Sequence, residues 1–408
     1  MARPKMLISG AGVGGEALAS WMSLTGWQVC VVERAPSPRH GGQTVDLRGV
    51  SRLVIERMGL LAQAQLLAVP QSGMAWVDDN GRRLAEMPVQ AFGGRGFVSA
   101  FEIQRGDLVQ LLHTAAGFDT EHLFNDTIVA ITDTKSQVLV DFQTAPSRAF
   151  DVVVGADGVH SAVRRLAFGA ESDYAQHMGL LYAWFTVPAQ TDLDGWFLVH
   201  NAPGRRTASL RPGRRPGEHK AGMSFFSKDP SEPAGDRTTQ LALLADRFTG
   251  VGWLTPYLIE QAGQADDFIL DSFGQIHMPD WTIGRVGLIG DAAHCPSPLS
   301  GQGTALALIG AYLLAGELAA VTTSPTSADI HQALHRYQHL IRPHVEKAQR
   351  LPPARLASFA PKTALGIRTN AAAMRAIQRW PLRPIINQRT KKSQPTYLPD
   401  HMDPRPIA

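Results

Sequence analysis

One stretch near the N-terminus constrains this chain more than any other. Met6–Ser9 is apolar and strand-like, Gly10-Ala-Gly12-Val-Gly14-Gly15 follows it, and Glu16–Thr25 carries apolar residues at helical spacing before a stop at Gly26. Gln28–Val32 is a second β-rich run, closed by Glu33. Strand, glycine turn, helix and strand within about thirty residues make a βαβ unit. Gly10 permits the tight bend, Gly12 lets a pyrophosphate approach the backbone, and Gly15 lets helix and strand pack closely. The helix N-terminus at Val13 and Gly14 turns its amides toward phosphates. Glu33, 18 residues past Gly15, is placed to accept hydrogen bonds from an adenosine ribose, with Arg34 beside it. A glycine turn alone also serves purely structural ends. With strand, helix and acid all present, it reads as dinucleotide binding, and whether FAD or NAD binds is not decided by this element.

With 408 residues the chain is long enough for two or three domains. Hydrophobic residues at 44% and charged residues at 18% exclude a disordered or fibrous chain. Two cysteines, Cys30 and Cys295, can form neither a disulfide scaffold nor a four-cysteine zinc site, so a cytoplasmic location is the expectation. The basic, apolar N-terminus superficially resembles a signal peptide, but glycines crowd its would-be apolar core. No run approaches the ~18 apolar residues of a membrane span. Residues 331–408 carry 14 Lys/Arg against 3 Asp/Glu, while the first 330 carry 25 against 33. Such a basic segment fits nucleic acid, an anionic membrane, or a helical tail packed on an acidic body. Its lack of interleaved aromatic stacking partners counts against nucleic acid.

Further along, Met74–Val77 is a short strand candidate and Gln104–Ala116 reads as a helix. Asp151–Val154 is a buried-strand run leading into Gly155-Ala-Asp157-Gly158. Between Tyr174 and Met278 strand-like runs (Leu180–Val187, Trp196–His200, Lys220–Phe226) alternate with Pro/Gly/Arg turns, with helices expected near Arg237–Phe248 and Pro256–Gln261. Arg285–Ile289 returns to a buried strand, ending in Gly290-Asp291-Ala-Ala-His294. A Pro/Gly-rich loop then opens a long apolar helix over Gln302–Ala320. The remainder reads as helical to Trp380 and irregular beyond. The expected fold class is α/β: a Rossmann-like FAD-binding domain interleaved with a mostly antiparallel β-sheet substrate domain, plus C-terminal helices. The expected division is 1–72, 101–173 and 279–330 for the first domain, 73–100 and 174–278 for the second, and 331–408 for a C-terminal helical segment with a basic tail.

Two of these elements, Asp157-Gly158-x-x-Ser161-x-x-Arg164 and Gly290-Asp291-Ala-Ala-His294-x-Pro296-x-Pro298-x-x-Gly301-x-Gly303, resemble the Asp-Gly and Gly-Asp motifs of flavin-dependent aromatic hydroxylases. With the N-terminal turn, in the same order, the chain resembles the single-component FAD monooxygenases of the para-hydroxybenzoate hydroxylase fold over about residues 5–325. Gly41–Leu47 and Glu102–Leu108 look most like the tetracycline-inactivating branch. That likeness implies Asp46 and Arg105 at the flavin and Arg39 in contact with the nicotinamide cofactor, without implying tetracycline as substrate. An ordinary loop salt bridge is the competing reading for Asp46 and Arg39, and a surface one for Arg105. Asp291, closing a strand toward the cofactor, can bind ribityl or ribose hydroxyls or else cap a helix. Asp157 orients groups on the pyrophosphate side through Arg or water, or else only holds a turn. Gly301, Gly303 and Thr304 open the long helix, whose amides and dipole would face the flavin pyrimidine edge. The family pattern has Asn and Asp where Ala305 and Gly310 stand, which leaves the backbone amides but not those side chains.

The resemblance implies that NADPH or NADH reduces FAD, that O2 forms a flavin C4a-hydroperoxide, and that one oxygen atom passes to an aromatic or polycyclic, polyketide-like small molecule. The alternatives are an oxidase or dehydrogenase of the same fold, or a flavin-binding protein without turnover. Trp184, Phe185, Phe197, Met223, Phe225 and Phe226 are candidates to line the substrate space, at least half being core because alternate strand residues face opposite ways. His200 and Arg211 are candidate polar contacts or else ordinary surface groups. No catalytic residue and no metal ligand set stands out, and a monomer or homodimer is expected, with neither nucleic acid nor a membrane span.

Overall fold

The computed structural model describes residues 3–39, 41–91, 98–229, 231–232, 235–321, 325–378 and 398–399. Two large sheets organise them. The first has six strands in the order Thr282–Ile283, Val286–Leu288, Val152–Gly155, Lys5–Ser9, Gln28–Glu33 and Glu121–Phe124. The last five run parallel, with Leu7 beside Val153 on one side and Cys30 on the other; Thr282–Ile283 is antiparallel. The central strands are runs such as Val152-Val153-Val154 with no exposed surface, the pattern of a parallel sheet covered on both faces.

The second sheet has seven strands in the order Ile269–Ile276, Ala175–Pro188, Glu218–Phe226, Arg206–Pro212, Trp196–Ala202, Gly73–Val77 and Arg83–Pro88. Every neighbouring pair is antiparallel except Trp196–Ala202 with Gly73–Val77, which is parallel. That parallel pair is where an early segment joins strands more than a hundred residues later. The fold is thus the expected α/β class, a Rossmann-like unit interleaved with a mostly antiparallel sheet. Helices Arg237–Arg247 and Thr255–Gln264 stand where sequence periodicity puts them, and pack on the second sheet's own core.

A third, smaller sheet was not expected: Ile128–Asp133, Val138–Phe142 and Arg148–Phe150 form an antiparallel meander. Val138, Val140 and Phe142 are buried alternately, but Leu139 is apolar on the exposed face and masks the period. Helix Gly303–Ala319 is buried from Leu306 through Leu318 and packs against helices Val13–Met22, Val50–Arg57 and Ser327–Gln349. The C-terminal helices are Ser327–Gln349, Pro353–Phe359 and Ala364–Ile377; most of the basic tail beyond them lies outside the described residues. Among the described residues no helix is long and apolar enough to cross a membrane.

Candidate functional site

A cleft of about 2130 Å³ is lined by residues of both large sheets and by all three glycine-rich turns. At the first turn, Gly10 has φ +102° and donates its N–H to Val32 O at 2.7 Å. A Cβ on Gly10 would fall 2.7 Å from Ala156 O, so the first and second motifs meet here. Gly12 precedes helix Val13–Met22 with ordinary extended backbone, and a Cβ on it would meet nothing within 4 Å: its open side faces the cleft. Val13, Gly14 and Gly15 do not line the cleft. Gly14 faces Ile289, and a Cβ on Gly15 would lie 1.9 Å from Gly10 O, so these residues bring helix against strand.

Glu33 closes its strand at the cleft wall. Its Oε2 accepts the Ala11 N–H at 2.9 Å, and its Oε1 accepts the Ala35 N–H at 2.9 Å and Arg39 Nη2 at 3.3 Å. The carboxylate is thereby held in place beside Arg34, with Arg39 half-exposed at the rim. Asp157 also lines the cleft, but its carboxylate accepts from Ser9 Oγ, Ser161 Oγ and the amides of Ala162 and Val163. It thus caps helix Ala162–Ala167, makes no hydrogen bond with an arginine among the described residues, and feels the charge of Arg164 nearby. Arg164, which the sequence reading left without a role, is fully buried and donates to Ala292 O at 3.0 Å and Glu171 Oε2 at 2.8 Å. It ties the Asp-Gly turn to the Gly-Asp turn.

Asp291 is the first residue of the short helix Asp291–His294, after the N-cap residue Gly290. Its carboxylate is exposed to the cleft, with protein packed closely around it. Burial raises its carboxyl above the usual range, against the Cys295 thiol and the Arg105 charge, which lower it. Because the cleft admits water, that burial is complete only when the cleft is filled. Arg105 begins helix Arg105–Ala116, and its guanidinium makes no hydrogen bond or ion pair with the described residues. Burial and the neighbouring Arg39 lower its pKa, while Tyr182, Asp291 and Glu33 oppose them. Gly42 is left-handed at φ +85°, which explains the glycine there, and a Cβ on it would lie 3.0 Å from Arg105 Nε. Gly301 is left-handed at φ +66°, and Gly303 and Thr304 start the long helix without a side-chain cap. All three line the cleft, and Gly303 stands within van der Waals reach of Asp291.

The opposite wall carries a charged pair of pairs. Strand Thr44–Asp46 places Asp46 opposite Glu102. Asp46 pairs with Arg48 at 2.5 Å, and Glu102 with Arg211. Burial pushes the Asp46 carboxyl up to about 6; Arg48 opposes this and Glu102 adds to it. Arg211 also lies 4.8 Å from the Phe197 ring centre. Trp184 lines the cleft, as does Tyr182, which strand alternation puts on the same face but the sequence reading missed. Burial raises the Tyr182 phenol. Met223 and Phe225 are core instead, Phe185 is buried in the same core against Phe268 but also borders the cleft, and Phe226 lies on the protein surface. His200 is a correction: it is buried outside the cleft, with Nδ1 3.2 Å from Val77 O and Nε2 3.3 Å from Asp79.

These groups fit FAD: an open Gly12, uncapped helix N-termini for anionic groups, a cationic Arg105 with no hydrogen-bond partner among the described residues, and Asp291 facing the same space. Residues 3–351 match the family model described as FAD binding domain. An uncharacterized protein of Mycobacterium tuberculosis is 39% identical over 354 residues, covering 85% of this chain and 95% of its own. A flavin-dependent monooxygenase of Legionella longbeachae is 34% identical over 346 residues, covering 85% and 87%. The crystal structure of tetracycline destructase Tet(51) is 30% identical with a TM-score of 0.79, over 97% of this chain and 100% of that one. Klebsiella pneumoniae HpxO complexed with FAD and uric acid shares the fold at 22% identity and a TM-score of 0.71, over 91% and 93%. The chain belongs to the FAD binding domain family and, within it, is an enzyme of the flavin-dependent monooxygenase type.

Proposed function

We propose that this enzyme takes electrons from NADPH or NADH and inserts one atom of O2 into an aromatic or polycyclic, polyketide-like small molecule. The observation that carries the reading is the convergence of three glycine-rich turns, far apart in sequence, on one cleft where Arg105 makes no hydrogen bond or ion pair among the described residues. Bound FAD supplies hydride acceptance and the reduction of dioxygen. The chain's own part is placement. The Gly10–Gly12 backbone and the Val13–Met22 helix dipole hold the pyrophosphate, Glu33 accepts the adenosine ribose hydroxyls, and Asp291 and Arg105 hold the ribityl side. The amides at Gly301, Gly303 and Thr304 face the pyrimidine edge and favour negative charge there. Asp157 and Arg164 keep the turns in register. Arg39 at the rim meets the nicotinamide cofactor, and Tyr182, Trp184 and Arg211 wall the substrate space, excluding water from it.

Oxygen insertion separates this reading from an oxidase of the same fold. Purified enzyme is reduced anaerobically with NADPH or NADH, mixed with isotopically heavy O2 and a panel of phenols and polycyclic ketones, and the products are weighed. A product gaining one heavy oxygen atom supports insertion. A product lighter by two hydrogens, with peroxide released, overturns insertion but keeps the flavin. Protein that takes up no FAD overturns the site itself.

A further inference from the structure

Glu16, in the first turns of helix Val13–Met22, is fully buried away from the cleft, and nothing in the flavin reading uses it. Its Oε1 lies 3.2 Å from His113 Nδ1 and 3.2 Å from His122 Nε2, with Oε2 3.3 Å from the latter. His113 comes from the last turn of helix Arg105–Ala116, and His122 from strand Glu121–Phe124 at the edge of the parallel sheet. The two imidazole rings meet edge to face at 4.3 Å, and the three donor atoms lie within 4.8 Å of one another.

The other nitrogen of His122 fixes how the ring is turned. Nδ1 lies 3.2 Å from Thr120 O, and a carbonyl only accepts, so Nδ1 carries the hydrogen. Nε2 is then the ring atom that faces the buried Glu16 carboxylate. A buried carboxylate facing that nitrogen needs a positive charge between the two, which a second ring proton or a metal cation supplies. The same arrangement, one ring nitrogen toward the metal and the other donating to a backbone carbonyl, fixes metal-ligating histidines. Tetrahedral zinc with bonds of about 2.0–2.2 Å has ligand–ligand edges of about 3.3–3.5 Å, close to the two nitrogen–oxygen distances here. Imidazole and carboxylate without thiolate is a donor set for Zn2+ and its first-row neighbours.

We propose that Glu16, His113 and His122 bind a divalent transition-metal cation of the Zn2+ type, with the fourth position open to water beside His113, whose side chain is one-quarter exposed. The cation would join two helices that both begin at the cleft, one after Gly12 and one at Arg105. It stands independently of the monooxygenase reading.

The test uses the FAD-loaded full chain after chelator treatment, titrated with Zn2+ alone by calorimetry and with Co2+ by visible absorption. One Zn2+ per chain at micromolar affinity or tighter, and the visible bands of tetrahedral Co2+, are expected. Affinity should fall about 100-fold or more in His122→Ala and in His113→Ala. Glu16→Gln keeps the volume and should lose binding too; His113, the most exposed of the three, keeps the test valid if Glu16→Gln fails to fold. Absence of stoichiometric binding, or equal binding in the histidine variants, overturns the site and leaves a buried histidine–carboxylate ion pair in its place.

Discussion

Asp46 and Glu102 stand directly opposite each other on adjacent antiparallel strands, and each leans on an arginine of its own, Asp46 on Arg48 and Glu102 on Arg211. With its carboxyl pushed up to about 6 from an ordinary 3.8, Asp46 holds its proton in the folded chain over a window where the unfolded chain has lost it. Between those values the folded state binds more protons, so stability falls as pH rises through the window, by at most about 3 kcal/mol. Asp46→Asn is neutral throughout. It should melt higher than the parent at pH 8, with the advantage gone at pH 4. A difference that is the same at both pH values would show that the charge of Asp46 is not what costs stability.

Gly12 and Gly15 are neighbours in one turn but should fail in opposite ways. Alanine at Gly15 drives a methyl into the Gly10 carbonyl, at a cost of about 3 kcal/mol or more. Alanine at Gly12 meets no protein atom, so the melting temperature without cofactor should stay within the equivalent of about 0.5 kcal/mol. Its methyl instead enters the cleft, and FAD retention should drop. Thermal melts of the apo forms, paired with flavin content, separate the two, and full flavin content in Gly12→Ala would remove the cradle from that glycine.

Arg105 and Asp291 face the same space, one with no protein hydrogen bond and the other raised by burial. Asp291→Ala and Arg105→Ala should each weaken FAD by about 10- to 100-fold, the worth of one hydrogen bond to a charged group. Fluorescence titration of apoprotein with FAD measures it. Parental affinity in both variants would deny them contact with the cofactor.

His294 carries the opposite pH signature to Asp46. It is wholly buried against Trp281, neither ring nitrogen has a side-chain hydrogen-bond partner among the described residues, and burial together with the Arg342 charge pushes its pKa down to about 3. The unfolded chain protonates it near 6.5, so between 3 and 6.5 unfolding takes up a proton and stability is lost as pH falls. His294→Phe should therefore blunt acid unfolding between pH 6.5 and 4 by several kcal/mol at most. An unchanged acid limb would place the sensitivity elsewhere.

What the sequence exposed was whatever depends on near neighbours. The turn around Gly10 and the buried run Val152-Val153-Val154 need only local sterics and local apolarity, and both stood out. The pairing of Gly73–Val77 with Trp196–Ala202 did not, because register between distant strands depends on which faces meet. The same ignorance of facing put His200 among the site candidates and passed over Tyr182, two residues from Trp184. Asp157 is instructive in another way: the Ser161 four residues later signalled a helix cap as much as a cofactor contact. Glu16, His113 and His122 come from three separate elements, and no spacing along the chain hints that they meet.

The alternation of the chain between its two large sheets makes each sheet's completion wait on the other's. A ribosome releasing residues 1–170 has produced Val152–Gly155 but not Val286–Leu288, the strand that seals its open side. The Gly73–Val77 strand likewise waits for Trp196–Ala202. The nascent chain must therefore carry unsealed sheet edges until nearly three-quarters of it has emerged, and cutting it into halves would yield two aggregation-prone pieces rather than two domains.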